Sequence, residues 1–154
     1  MTESLASGRL FSLIQKTWDC YVHTPLAYAT DGCIDESLMD NLSWFVATAM
    51  MPSHNTILLG IDPGLALQLT SNMFGKPEPA VEDADIIDAV GEISNIIAGS
   101  VKTEFALEDS MESPQLINKP ALVDLLAHYS IETEVLALST NRPFYTALIS
   151  HARH

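Results

Sequence analysis

From residue 83 to residue 105 apolar side chains recur at helical spacing, and no proline interrupts them. A helix of that length rises about 1.5 Å per residue and crosses a small domain, so the rest of the chain must be built around it. With Glu92 set at zero on a wheel of about 100° per residue, Ile86, Val90, Ile93, Ile97 and Val101 fall at about 100° to 180°. Asp88, Asn95 and Gly99 fall at about −40°, −60° and −20° on the same wheel. One side is therefore apolar and the other polar, as a helix lying on a sheet requires. Glu82 and Asp83 suit the positive end of the helix dipole. Gly91 and Gly99 sit inside the helix, where each costs about 0.5–1 kcal/mol relative to Ala. A surface that another backbone must approach closely would account for Gly99 on the polar stripe.

The flanking sequence supplies the sheet. Residues 3–22 repeat Leu5, Leu10, Leu13, Ile14, Trp18, Tyr21 and Val22 at helical spacing, and Thr24-Pro25 ends that helix. Residues 25–30 suit a short strand before a turn at Asp31-Gly32. Residues 42–50 and 56–61 read as a hairpin across the turn at residues 52–55. Asp62-Pro63 opens a helix that stops at Gly75, and residues 76–79 form a stiff linker. Residues 108–114 are polar and read as a loop; residues 115–128 mix strand and short helix. Residues 129–139 and 144–150 are strand-like, and the alternation of Glu132, Glu134 and Leu136 with Thr133, Val135 and Ala137 suits a sheet with one face covered. The expected fold class is α+β, a largely antiparallel sheet covered by about three helices. Residues 1–154 fit one domain that buries its core without disulfides or metal.

Charge narrows the partners. Lys and Arg number 7 against 20 Asp and Glu, a formal net charge of −13. Such a surface argues against nucleic acid and against anionic membranes, and it is compatible with an electropositive protein partner. Cys20 and Cys33 form no CxxC pair, and the five histidines, His23, His54, His128, His151 and His154, are scattered, so no metal site is expected. No basic segment followed by an apolar run opens the chain, and no apolar stretch is long enough to span a bilayer; a cytoplasmic protein is expected.

The stripe carries the chemistry. The segment from Asp88 through Gly91, Glu92 and Asn95 to Gly99 resembles the signature of the CheC/CheX/FliY chemotaxis phosphatases: Asp or Ser, three residues, Glu, two residues, Asn, and a later proline. The core of the match spans about a dozen residues. The order of elements and the chain length extend the likeness, closest to CheX, because CheC proteins carry two Glu-x-x-Asn pairs and this chain carries one. The family's proline follows Asn after about 22 residues; here Pro114 follows after 18 and Pro120 after 24.

The resemblance implies a CheC-like fold and a protein aspartyl-phosphate phosphatase. Its substrate would be a phosphorylated CheY-like response regulator, which brings its own Mg²⁺, so no cofactor is required from this chain. Asn95 would hold the attacking water and Glu92 would pair with a lysine of the regulator, as the catalytic pair. Asp88 would support the contact, and Gly91 and Gly99 would admit the partner. The alternative is a non-catalytic interaction module of the same fold, binding a signalling or flagellar-motor protein through this helix. Sheet edges that must be covered or paired make a homodimer the expected assembly.

Overall fold

The computed structural model describes residues 2–30 and 34–151, with side chains from residue 6 onward. The expected turn at Asp31-Gly32, Cys33, His154 and the side chain of Leu5 lie outside the described residues. In chain order the elements are α1 (Thr2–Asp19), β1 (Ala27–Thr30), α2 (Glu36–Asn41), β2 (Trp44–Met51), β3 (Thr56–Ile61), α3 (Pro63–Phe74), α4 (Asp83–Glu104), β4 (Ser110–Met111), β5 (Gln115–Ile117), α5 (Lys119–His128), β6 (Tyr129–Ser139) and β7 (Arg142–His151). A single 3₁₀ turn at Glu78–Ala80 interrupts the linker before α4.

The strands form one antiparallel sheet in the order β1-β6-β7-β3-β2, with β4 and β5 both paired to the outer side of β2. Local chemistry explains the joints. Asp62 accepts a hydrogen bond from the Leu65 amide at 3.0 Å and starts α3. Gly75, with φ of 65°, ends it in the left-handed conformation that glycine adopts most easily. Thr140 and Asn141 carry φ of 50° and 64°, giving the two-residue turn that joins β6 to β7.

The principal core lies between the sheet and α1, α3 and α4. Leu10, Ile14 and Trp18 of α1 recur every fourth residue and are buried, as are Leu65 and Leu69 of α3 and the whole apolar side of α4. They meet Ile57, Leu59, Ile61, Phe144 and Leu148 of the sheet.

The opposite sheet face departs from expectation. Leu58, Tyr145, Ala147 and Ile149, which alternate along β3 and β7 with those just named, are also buried, under Met39 and Leu42 at α2 and Leu122 of α5. The sheet is therefore covered on both faces, and Glu134 is drawn inside, where its carboxylate accepts a hydrogen bond from the Tyr145 hydroxyl. The cover is short: α2 has 6 residues, too few for a helical repeat to be legible, and it is fixed by the Asp35 carboxylate accepting from the Leu38 amide at 2.8 Å. A second difference is β4. Residues 108–114 are not wholly loop, because Met111 and Ser110 pair with Met50 and Met51 on β2. The other helices and strands fall where periodicity puts them, to within a turn at α1, which ends at Asp19.

Candidate functional site

The structure fixes α4 at both ends. At its start the Glu82 side chain caps the first turn, and the Glu82 amide donates to the Asp85 carboxylate at 3.0 Å, a reciprocal capping box. Lys76 donates to the same carboxylate at 2.8 Å. That ammonium, with the Glu82 amide, holds the Asp85 carboxyl below its ordinary range, and the carboxylate raises Lys76 above its own. At the far end Arg9 reaches from α1, pairing with the Glu104 carboxylate at 3.0 Å and lying 4.5 Å over the Phe105 ring.

Between these anchors the helix presents the polar stripe. Asp88, Glu92 and Asn95 are exposed, and among the described residues none has a hydrogen-bond or ion-pair partner. Beside them a groove of about 400 Å³ opens between Gly91, Glu92 and Asn95 of α4 and the segment Met111, Glu112, Ser113, Pro114. The pairing of β4 with β2, continued by the Glu112 amide donating to Ala49 at 2.8 Å, brings that segment against the helix. A Cβ at Gly91 would meet nothing within 4 Å, and one at Gly99 only the Met111 sulfur at 4.0 Å. Neither glycine is required by packing within the chain. Both leave open surface beside the stripe.

The structure thus brings Asp88, Glu92, Asn95, Gly91 and Gly99 onto one accessible face. It also separates the two candidate prolines. Pro114 lines the groove with Glu92 and Asn95, whereas Pro120 sits in the first turn of α5, which packs on the opposite sheet face. Met111 and Glu112 were not legible as neighbours of the stripe, because the two-residue strand that carries them has no periodicity to read. The motif's demand for a following proline was the available signal.

Elsewhere the histidines are less scattered than in sequence: the rings of His54 and His151 lie 5.8 Å apart, bordering a cavity of about 690 Å³ floored by Phe105, Leu107 and Leu148. Among the described residues no group of three or more His, Cys, Asp or Glu is arranged to hold a metal ion, and no helix is long and apolar enough to cross a membrane.

A family model described as "Chemotaxis phosphatase CheX" matches residues 52–128, half of the chain and the half that contains the stripe, its groove and Pro114. The chain belongs to the CheX family. No curated protein matches it. Among solved structures, the chemotaxis protein CheX from Vibrio vulnificus is 16% identical with a TM-score of 0.63, over 93% of each chain. A chain of the CheX–CheY–BeF₃–Mg²⁺ complex from Borrelia burgdorferi is 16% identical with a TM-score of 0.61, over 94% of this chain and 96% of that one. The middle domain of FliM from Vibrio alginolyticus is 10% identical with a TM-score of 0.66, over 98% and 94%. At these identities the likeness is one of fold.

Proposed function

We propose that this protein hydrolyses the aspartyl phosphate of a CheY-like response regulator in chemotaxis signalling. The observation that carries the reading is the exposed, unpartnered pair Glu92 and Asn95, one turn apart on a helix anchored at both ends and flanked by glycines with open space above them. Membership of the CheX family supports it, as does the likeness of fold to a chain from a CheX–CheY complex.

Hydrolysis of an acyl phosphate needs a water held in line with the scissile P–O bond. The Asn95 carboxamide is suited to holding it, because its oxygen accepts from water while its NH₂ donates toward the phosphoryl group. It supplies orientation and takes no proton, so the gain is one of positioning. The Glu92 carboxylate pairs with a lysine of the regulator through a charge-assisted hydrogen bond. Asp88 supports that contact one turn toward the N-terminus. Mg²⁺ travels with the phosphorylated regulator and belongs to the substrate. A cytoplasmic location goes with this reading, since that is where such a regulator would be met.

The test is direct. Incubated with phosphorylated regulators from the same cell, the protein should remove phosphate faster than each regulator's own autohydrolysis. Absence of any acceleration, or an Asn95→Ala variant as fast as wild type, would overturn the reading. A second reading, a non-catalytic module binding a signalling or flagellar-motor protein through α4, is favoured by the likeness to the FliM middle domain. Binding without turnover would select it. We propose further that the protein is a homodimer, since the sheet is open and its edges, at β1 and β5, must be covered or paired. Light scattering that gives the mass of a single chain would rule this out.

A further inference from the structure

Four of the chain's cations are committed to ion pairs: Arg9 to Glu104, Lys76 to Asp85, Lys119 to Glu36 and Asp40, and Arg142 to Asp62. Among the described residues Lys16 and Lys102 are in none. Lys16 is exposed in the last turn of α1. It lines a second groove, of about 520 Å³, that runs between α1 and α4 past Leu13, Gly99, Ser100 and Thr103. Asn95 lines this groove as well as the first, so it stands on the ridge between the two. On one side of Asn95 lie two carboxylates, Glu92 and Glu112; the groove on the other side is lined by one ammonium, Lys16, and one carboxylate, Glu104. Among the described residues Lys16 is the only Lys or Arg lining either groove.

The acid nearest to hand within the same groove is Glu104, and Arg9 already holds it, by its carboxylate at 3.0 Å and its backbone carbonyl at 2.6 Å. The place of Lys16 near the negative end of α1 is favourable in itself and leaves its ammonium available. On a chain with a net charge of −13, an anion arriving at Asn95 meets repulsion from most of the surface. A cation in the groove that Asn95 lines offsets that locally.

We infer that Lys16 is a partner-binding residue that receives an anionic group of the regulator, a phosphoryl oxygen or a carboxylate beside the phosphorylation site, while Glu92 takes the regulator's lysine. This rests on the proposed function. The acid on one side of Asn95 and the base on the other make the docking polar, so only one orientation of the regulator satisfies both.

Steady-state hydrolysis of the phosphorylated regulator by Lys16→Ala, Lys16→Glu and Lys16→Arg tests it, with circular dichroism to verify that each folds. Loss of the ammonium should raise KM about three-fold and charge reversal about ten-fold, with a weaker salt dependence than wild type, and Lys16→Arg should recover most of the loss. If the anion is a carboxylate, kcat stays within about two-fold of wild type and binding of the unphosphorylated regulator weakens in parallel. If it is the phosphoryl group, kcat falls and that binding is unchanged. A folded Lys16→Glu variant with wild-type KM, kcat and salt dependence overturns the inference while leaving the phosphatase standing. Should wild type bind a regulator without turning it over, the phosphatase reading falls and the same variants are read by titration, where unchanged affinity of Lys16→Glu again overturns the inference. Wild type that neither binds nor hydrolyses any regulator removes both.

Discussion

Ile93 and Asn95 stand two residues apart on α4, yet Ile93 is completely buried and Asn95 is exposed without a partner in the chain. The buried side of the helix, Ile86, Val90, Ile93, Ile97 and Val101, meets the sheet and α1 and α3, and its chemistry is that of any amphipathic helix. The exposed side holds two carboxylates, a carboxamide and two glycines that nothing inside the molecule requires. One side answers to folding and the other to something that arrives from outside. Substitutions on the two sides should therefore separate stability from activity.

The largest effects should show that separation. Ile93→Ala deletes fully buried carbons beneath α4 and should lower the unfolding free energy by about 2–5 kcal/mol, measured by urea denaturation. Asn95→Ala should leave that free energy within about 0.5 kcal/mol of wild type, since it removes an exposed group without partners. The same change should slow regulator dephosphorylation by about a hundred-fold, the scale at which positioning acts. A marked loss of stability on Asn95→Ala would mean that the outer side also serves the fold, and the comparison would collapse.

Gly91 gives a smaller and sharper probe. It sits in a helix interior with no atom within 4 Å of where a Cβ would stand, so Gly91→Ala should stabilise the protein by about 0.5–1 kcal/mol. If glycine is present because the regulator's backbone comes close, the stabilised variant should at the same time bind the regulator less well. Stability and affinity moving in opposite directions would be hard to explain by packing. Tighter binding along with greater stability would mean that Gly91 has no role in docking.

The same division explains what could be read from the chain beforehand. Long repeats were legible. The period along α4 identified both of its sides, and the caps at Asp62 and Gly75 fixed α3, because those signals are local and act through the backbone of a few adjacent residues. What escaped depends on residues far apart in sequence. The six-residue α2 and the two-residue β4 exist because a sheet face needs cover and because Met111 finds Met50 across the fold. The expectation of a single covered face failed for the same reason: the burial of Glu134 follows from α2 and α5 lying over the second face and from the Tyr145 hydroxyl opposite it. For the site, Glu92 and Asn95 were legible as neighbours at i and i+3 and Pro114 as one of two candidate prolines, whereas the wall at Met111 and Glu112 and the ammonium of Lys16 were not.

The smallest effect concerns acids one turn apart on the same helix. Asp85 is engaged by Lys76 and the Glu82 amide, whereas Asp88 has no partner among the described residues. The Asp85 carboxyl therefore titrates below the unfolded value, with the Lys76 hydrogen bond as the first cause and the Glu82 amide as the second. A group depressed on folding stabilises the native state above its unfolded pKa, and that contribution is lost as pH falls through the lowered folded value. Lys76, raised on folding, runs the other way: its contribution is complete below its unfolded value and is lost as pH rises through the higher folded one. Lys76→Met removes the first cause but leaves the amide, so the Asp85 carboxyl should move up toward 3.8 without reaching it. Carbon-detected NMR titration of the side-chain carboxyls reads this directly. The variant should also lose part of the acid-side dependence of its stability, while its rate of regulator dephosphorylation at neutral pH stays close to wild type. If that rate falls as well, the start of α4 has moved as a unit, and the lysine would then be setting the position of the exposed stripe as well as anchoring the helix beneath it.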